Sequence, residues 1–287
     1  MGTSWSAQIV APPANCAAAI ENVLARIIGQ MSNWEADSVI SRFNRAPIGE
    51  WMPLPPEMLT VLRAGLDMAR LSDGAFDPAI GRLVDHWGFG PNISSSAYAI
   101  ARPWSRIEVE RGHARRLADV ALDFSGIAKG FAVDAVAEEL RDMGVANFLI
   151  EIGGELRGDG VKPDLQPWWV DVEPPTDLPV PTLRIALCDM AVATSGDYRR
   201  FRMEDSTRLS HSIDPATGQP IAQGVASVTV LHDQAMLADA WATAITVMGQ
   251  DRGMHLATRH GLAVRLVMRT DSGAQEYMTP AMAAMLE

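Results

Sequence analysis

The chain has 287 residues, of which 48% are hydrophobic and 21% charged, a composition typical of a folded globular protein. A formal net charge of -11 excludes a general nucleic-acid binder, because such a protein needs surplus cations to neutralise phosphates. No apolar run is long enough to span a membrane, and the first residues lack the basic and apolar regions of a secretory signal.

Apolar residues recur at helical spacing in three parts of the chain and predict three helices. The first covers residues 13–31, the second starts in the Pro-rich segment 53–56 and runs to about residue 71, and the third covers residues 131–143. A shorter helical turn is predicted at residues 39–44, with Ser38 as its N-terminal cap. Gly74 comes just after the helix that ends at about residue 71, at a position where the left-handed backbone conformation favours glycine.

Short runs of apolar and β-branched residues predict strands at residues 148–152, 168–172, 183–188, 191–193 and 225–231. A last long helix is predicted at about residues 236–248. Because helices and strands do not alternate regularly, their order favours an α+β fold over a doubly wound parallel sheet.

Four segments carry residue types suited to binding or catalysis, and the first lies just past a predicted helix end. Residues 74–78 (Gly-Ala-Phe-Asp-Pro) place an aromatic ring beside a carboxylate, which suits a wall where a flat ligand ring meets backbone groups. The same residues also fit an Asp-Pro turn whose Phe76 packs in the core. Composition leaves both interpretations open.

The second segment is a loop of small residues, 123–130 (Asp-Phe-Ser-Gly-Ile-Ala-Lys-Gly), that leads into a predicted helix. Small residues let backbone groups approach a ligand closely, and the start of a helix favours anions. Lys129 could then face a phosphate or donate to a ring carbonyl. The spacing is not that of a P-loop, and such a loop can equally serve packing alone.

The third segment, residues 211–218, joins a histidine to a tight Asp-Pro and Thr-Gly turn. Histidine can transfer a proton near neutral pH, and a turn of this kind can hold its ring in place. A lone histidine is often structural, so both a functional and a structural role remain open for His211.

The fourth segment lies in the last predicted helix, where Asp239 and Thr243 are four residues apart and share one helix face. Mg²⁺ typically takes one or two carboxylates and completes its octahedron with water and phosphate oxygens, which fits this pair. The alternative is a buried aspartate that forms a hydrogen bond with the threonine.

These four segments, in this order, resemble the ApbE family of FAD:protein FMN transferases. Other segments that look like blocks of this family are residues 1–5, 38–44, 87–89, 133–134, 152–154 and 193–198. Each block is weakly specific by itself, but together they cover nearly the whole chain in register.

The resemblance implies a T-fold-like α+β architecture, with mixed or antiparallel sheets, packed helices and a flavin site in a cleft between lobes. It also implies one domain over residues 1–287. Members of the family cleave the FAD pyrophosphate with Mg²⁺ and transfer FMN to a threonine or serine hydroxyl of an acceptor flavoprotein, with AMP as the leaving group.

Roles for individual residues follow from the same resemblance. The positions that would contact FAD are Met1, Trp34, Ala75, Phe76, Asp77, Asp123, Lys129 and Ile213. Asp239 and Thr243 would hold Mg²⁺, with backbone oxygens of Gly126 and Ala242 nearby. His211 would be the general base that takes the proton from the acceptor hydroxyl.

Three positions depart from the family pattern. Trp34 stands where tyrosine is usual, Ser125 replaces a usual glycine, and Glu155 follows Gly153-Gly154 where asparagine is commoner. None of these changes removes an implied Mg²⁺ ligand or the implied base. A tryptophan can still stack on a flavin or adenine ring.

Two other activities use the same pocket. One is hydrolysis of FAD to FMN and AMP, with water in place of the acceptor hydroxyl, and the other is FAD binding without turnover. We expect a cytoplasmic protein from the sequence as written, or a periplasmic one if an export segment has been removed.

Overall fold

The computed structural model describes residues 3–92, 100–197, 201–204, 207–221, 224–271 and 273–286. Within these ranges the helices are α1 (Cys16–Met31), α2 (Val39–Arg45), α3 (Pro56–Leu71), α4 (Gly81–His86), α5 (Ala128–Asp142), α6 (Ala235–Arg259) and α7 (Pro280–Ala284). The strands are β1 (Trp5–Ile9), β2 (Met52–Pro53), β3 (Ile107–Glu110), β4 (His113–Arg116), β5 (Phe148–Ile152), β6 (Glu155–Asp159), β7 (Trp168–Val172), β8 (Leu183–Leu187), β9 (Met190–Gly196), β10 (Phe201–Glu204), β11 (Thr207–Ser210), β12 (Ile213–Asp214), β13 (Gln219–Pro220), β14 (Val225–His232), β15 (Ala263–Thr270) and β16 (Gly273–Met278).

One central sheet has the strand order β1-β5-β6-β9-β14-β15-β16, and every neighbouring pair in it is antiparallel. Its two edge strands, β1 and β16, come from opposite ends of the chain. Smaller units are the three-stranded sheet β2-β4-β3 and the hairpins β7-β8, β10-β11 and β12-β13. Antiparallel pairing beside packed helices confirms the predicted α+β fold.

The central sheet separates two layers of apolar side chains. Helices α1, α5 and α6 enclose the main core on one face, where Ile27 and Val136 are fully buried. The hairpin β7-β8 covers a second cluster, in which Trp168 and Leu187 pack with Leu149 of β5. Removing this surface from water drives the layers together, at roughly 25 cal/mol per Å² of apolar area buried.

Strands β5 and β7 have the predicted bounds, and α3 begins within the predicted Pro-rich segment and ends at Leu71 as predicted. Helix α2 follows Ser38, whose hydroxyl oxygen accepts a hydrogen bond from the Ser41 N–H (3.2 Å) and caps the helix as predicted. Gly74 has a φ of +83°, in agreement with its predicted left-handed conformation. These features depend on local patterns, which the sequence carries directly.

Three helices differ from the prediction by more than one residue at an end. Helix α1 begins at Cys16, later than the predicted residue 13. Helix α5 begins at Ala128, earlier than predicted, and includes Gly130. Only glycine fits at this position, because a Cβ there would lie 2.2 Å from the Ala235 carbonyl oxygen of α6. Helix α6 continues past the predicted end to Arg259, with a kink at Gly249 (φ 75, ψ -176). None of the helices in the described ranges is long and apolar enough to cross a membrane.

The sequence pattern does not predict strands β6 and β15, because buried charged side chains interrupt their apolar runs. Arg157 of β6 donates to Asp159 (2.8 Å), and both residues are buried. Arg265 of β15 is also buried and donates to Glu276 of β16 (2.8 Å). Ion pairs therefore replace the expected apolar residues at these positions, since a buried charge is tolerated only when it is paired.

Candidate active site

A cleft of about 1150 Å³ gathers most of the predicted site residues. Those that line it are Trp34, Ala75, Phe76, Asp77, Asp123, Gly126, Lys129, His211, Ile213, Asp239 and Thr243. Ala242 is fully buried and is not part of the cleft wall, and its carbonyl oxygen accepts a hydrogen bond from the Thr246 hydroxyl (2.7 Å). Met1 lies outside the described residues.

Helix α6 brings Asp239 and Thr243 to the floor of the cleft. The buried Asp239 carboxylate accepts a hydrogen bond at Oδ2 from the Gly130 N–H (3.1 Å). The Thr243 Oγ1 lies 3.2 Å from the Ser195 Oγ of β9. Asp239 and Thr243 therefore form hydrogen bonds with Gly130 and Ser195, and not with each other as in the alternative interpretation of this pair.

Gly126 fits closely against Thr243. A Cβ at Gly126 would lie 2.7 Å from the Thr243 Oγ1, so any larger residue would push the loop away from α6. The loop before α5 therefore contacts helix α6 at Gly126 and Thr243, two of the predicted cation ligands.

Lys129 lies between two buried carboxylates. Its Nζ contacts the Oε1 of Glu155, the first residue of β6, and lies 3.8 Å from the Oδ1 of Asp239. Burial raises the pKa of Glu155 to about 7, although Lys129 acts in the opposite direction. Burial also raises the pKa of Asp239, again opposed by Lys129.

Sequence reasoning did not identify Glu155 as a site residue. Its position after Gly153-Gly154 was the one signal for it, because a carboxylate at the start of a buried strand requires a partner. Gly153 has a φ of +64° and a Cβ there would lie 3.3 Å from the Lys129 Cδ. The turn thus leaves room for the lysine stem to reach Glu155.

Asp77 belongs to the wall formed by residues 74–78. It is 5% exposed and accepts hydrogen bonds from the Ala79 N–H (2.8 Å) and the Trp104 N–H (3.0 Å). Burial raises the pKa of Asp77 to about 7 against the effect of these two donors. Phe76 is buried, as the turn interpretation predicts, and it also lines the cleft.

Asp123 lies where the loop before α5 meets the end of α1. Its Oδ2 accepts a hydrogen bond from the Asn33 side-chain amide (3.2 Å), and its Oδ1 accepts one from the Ser125 N–H (2.8 Å). Trp34, next to Asn33, is 61% exposed at the same cleft. An aromatic face of this exposure is free to stack on a flat ring.

His211 lies between β11 and β12, ahead of the predicted turn. The Asp214 Oδ1 accepts a hydrogen bond from the Ala216 N–H (2.9 Å), and Gly218 has a φ of +69°. The Trp87 Nε1–H donates to the Gly218 carbonyl oxygen (2.8 Å), and Phe89 packs edge-on to the His211 ring at 6.4 Å between centroids. These contacts tie the histidine loop to the segment after α4.

The cleft is strongly acidic. The carboxylates among its described lining residues are Asp77, Asp123, Glu151, Glu155, Asp171, Glu173 and Asp239. Lys129 is the one lysine or arginine in that described lining. A pyrophosphate would meet net negative charge here, so its binding calls for an added cation.

The donors on the cleft floor fit a hard divalent cation. Asp239 and Thr243 offer oxygen ligands from one helix face, which suits Mg²⁺ with its preference for few protein oxygens and several waters or phosphates. The Oε2 of buried Glu155 also has no hydrogen-bond partner. The described residues contain no cluster of three or more His, Cys, Asp or Glu side chains suited to a metal, so waters or bound phosphates would complete the coordination.

A sequence profile of the ApbE family matches residues 1–266, and the chain therefore belongs to this family. Among its curated relatives, the FAD:protein FMN transferase of Vibrio cholerae is 36% identical, over 96% of this chain and 88% of the relative. The protein of the same name from Haemophilus influenzae is 35% identical, over 88% of this chain and 78% of the relative.

Solved structures give the same assignment. The flavin transferase ApbE from Vibrio cholerae superposes with a TM-score of 0.90 at 34% identity and covers 99% of this chain and 96% of its own. The apo form of the Pseudomonas stutzeri flavinyl transferase ApbE also gives a TM-score of 0.90, at 33% identity, over 99% of this chain and 94% of its own.

Proposed function

We propose that this chain transfers FMN from FAD to a threonine or serine hydroxyl of an acceptor protein, with release of AMP, in a reaction that depends on Mg²⁺. The observation that carries the proposal is the single cleft into which eleven of the predicted site residues converge. The names of the relatives, FAD:protein FMN transferase, support the same reaction.

The transfer balances as a substitution at phosphorus. The acceptor oxygen forms a bond to the phosphorus of the FMN half, the bond to the bridging pyrophosphate oxygen breaks, and AMP leaves. The proton of the acceptor hydroxyl goes to a ring nitrogen of His211, since a histidine titrates near neutral pH. The turn at residues 214–218 keeps the ring at the cleft.

The other residues bind and orient the substrate. Asp239 and Thr243 would hold Mg²⁺, together with the backbone oxygen of Gly126 and, less directly, that of the buried Ala242. When bound, Mg²⁺ neutralises the pyrophosphate and favours the leaving of AMP. Lys129 supplies the nearby positive side chain for the phosphates. Trp34 stacks on a ring of FAD.

The polar edges of FAD meet a second group of residues. Asp77 and Asp123 are held by backbone and side-chain donors, so their carboxyl groups have fixed orientations toward the cleft. Ala75, Phe76 and Ile213 provide apolar contact with the rings, and we extend this role to Met1.

We further propose that residues 1–287 act as one domain. Strand β1, near the start of the chain, and strand β16, near its end, belong to the same central sheet. The described cleft lining runs from Thr3 to Val247, so residues from most of the chain contribute to the one cleft.

The test incubates the pure protein with FAD and Mg²⁺, with and without a threonine-bearing acceptor, and follows AMP release together with acceptor mass. We expect the acceptor to gain the mass of FMN in step with AMP. AMP and free FMN without labelling of any acceptor would instead assign FAD hydrolysis. Bound, intact FAD would assign binding without turnover.

A further inference from the structure

Lys129 lies between Glu155 and Asp239, so one positive charge faces two carboxylates. Two carboxylates, whose side chains are only 2% and 4% exposed, share one ammonium group. The ammonium contacts Glu155 closely but lies 3.8 Å from Asp239. The lysine is therefore associated with Glu155 more than with Asp239.

Glu155 depends on this contact. It is 1% exposed, its Oε2 has no hydrogen-bond partner, and Lys129 is its ion-pair partner. Asp239 has an additional donor, because the Gly130 N–H binds its Oδ2 at 3.1 Å. A buried carboxylate without a partner carries a large desolvation cost, so the ammonium stabilises Glu155 most.

The position of the ammonium decides what Asp239 can bind. A carboxylate oxygen occupied by a lysine is a poorer ligand for a divalent cation, because the two positive charges repel each other across a short distance. If Glu155 were neutral, Asp239 would be the remaining buried carboxylate within reach of Lys129.

We infer that Glu155 is a positioning residue that draws the Lys129 ammonium toward itself, so that Lys129 keeps only its longer contact with Asp239 (3.8 Å) and Asp239 stays open to a divalent cation. This inference rests on the cation site of the proposed function. It gives Glu155 an indirect role, through Lys129, and does not make it a ligand of the cation.

The test measures Mn²⁺ binding to the whole protein by electron paramagnetic resonance, without nucleotide, in the wild type and three variants. Glu155→Gln should weaken Mn²⁺ binding at least tenfold, because Lys129 then pairs with Asp239. Lys129→Met should bind Mn²⁺ at least as tightly as the wild type. The double variant, Glu155→Gln with Lys129→Met, should recover affinity to within about threefold of the wild type.

This rescue distinguishes a positioning role from direct coordination of the cation by Glu155. A double variant that stays as weak as Glu155→Gln would show that Glu155 binds the cation directly, and would overturn the inference. Unchanged binding in Glu155→Gln would overturn it as well. Circular dichroism and thermal unfolding of each variant would check folding, and Glu155→Asn offers a second uncharged replacement if Glu155→Gln does not fold.

The lysine itself provides a second readout. The whole sequence contains only two lysines, Lys129 and Lys162, so acylation of each is easily resolved by mass spectrometry. In Glu155→Gln, added Mg²⁺ should displace Lys129 from Asp239 and increase its acylation severalfold relative to Lys162. In the wild type the same addition should change this ratio little. An equal Mg²⁺ response in both proteins would contradict the inference.

The failure of the proposed function and the failure of this inference can be told apart. If the wild type binds Mn²⁺ and the rescue occurs but no acceptor gains FMN, the transferase proposal fails and the role of Glu155 stands. If the wild type transfers FMN while Glu155→Gln binds Mn²⁺ normally, only the role of Glu155 fails. A wild type that binds no Mn²⁺ would overturn both the cation site and the inference.

Discussion

At the scale of single residues, the cleft contains charged groups whose surroundings set their chemistry. Burial raises the pKa of Asp77 to about 7 even though it accepts two backbone hydrogen bonds. His211 differs, because it is only partly buried and stands on a loop held by a turn. Substitution of His211 should therefore act on the reaction, and substitution of Asp77 on the pH dependence of stability.

Replacement of His211 by alanine should leave FAD binding intact and reduce FMN transfer by roughly 10²–10⁴-fold, the usual effect of losing a general base. FAD affinity is measured by flavin fluorescence and transfer by acceptor mass. The matched control is His113→Ala, since His113 is exposed on β4 and lies outside the cleft. Full transfer activity in the His211 variant would remove its role as base.

Asp77 should make stability depend on pH. Because its pKa rises from 3.8 to about 7 on folding, the folded protein binds more protons than the unfolded chain between these values. The free energy of unfolding should therefore fall as pH rises through this window. Asp77→Asn should flatten the slope by at most about 1.4 kcal/mol per pH unit.

This slope is measured by urea unfolding at several pH values between 4 and 7. Glu155 contributes in the same direction, since its pKa is also about 7, so the slope should be reduced and not abolished. Asp142→Asn, at an exposed carboxylate, is the control and should leave the slope unchanged. An identical slope in Asp77→Asn and the wild type would contradict the assignment.

At the scale of elements, the site depends on how α5 and α6 are joined. Helix α6 has no side-chain cap from its own N-cap residue, Gln234. Instead Asp134 of α5 accepts hydrogen bonds from the Ala235 N–H (3.0 Å) and the Met236 N–H (2.9 Å). Arg157 of β6 lies 3.4 Å from the same carboxylate. A carboxylate at this helix end also interacts favourably with the helix dipole.

Asp134→Ala should therefore lower the free energy of unfolding by about 1–2 kcal/mol, as expected for loss of a helix cap. It should also weaken FAD binding in the presence of Mg²⁺, because Asp239 lies one turn further along the same helix. Thermal unfolding and a fluorescence titration check the two effects. Asp142→Ala, at the exposed end of α5, is the matched control, and an equal response of both variants would contradict the capping role.

At the scale of the whole molecule, the cleft carries a concentration of negative charge. The formal net charge is -11, and the described cleft lining has seven carboxylates against Lys129. Electrostatic repulsion of a pyrophosphate by such a cleft is strong unless a cation intervenes. The divalent ion that we propose would thus compensate the charge of the whole cleft lining, in addition to binding the two proposed ligands Asp239 and Thr243.

Removal of divalent ions by EDTA should weaken FAD binding by at least tenfold, and Mg²⁺ should restore it. Riboflavin provides the control, because it carries the same rings without phosphates and should bind equally with and without Mg²⁺. Fluorescence titrations of both ligands measure the effect. FAD binding that is indifferent to EDTA would remove the electrostatic argument.

The sequence could predict a large part of this protein because some of its features are local. The bounds of β5 and β7 and the end of α3 follow from apolar periodicity and turn residues. The cleft residues come from segments whose order resembles one family, and the chain belongs to that family. The sequence shows that residues 126 and 130 are glycines, but it does not show why. In the structure a Cβ at Gly126 would clash with Thr243, and one at Gly130 with Ala235, and both neighbours are distant in sequence.

The sequence by itself determined the α+β class, the family and eleven of the residues that line the cleft, because these depend on patterns within short segments. Only the tertiary structure decided the partners of buried charges. Glu155 is next to Lys129, and Asp134 caps α6, through contacts between separate elements. A buried charge is stable only with a partner, and the fold selects that partner from residues far apart in the chain.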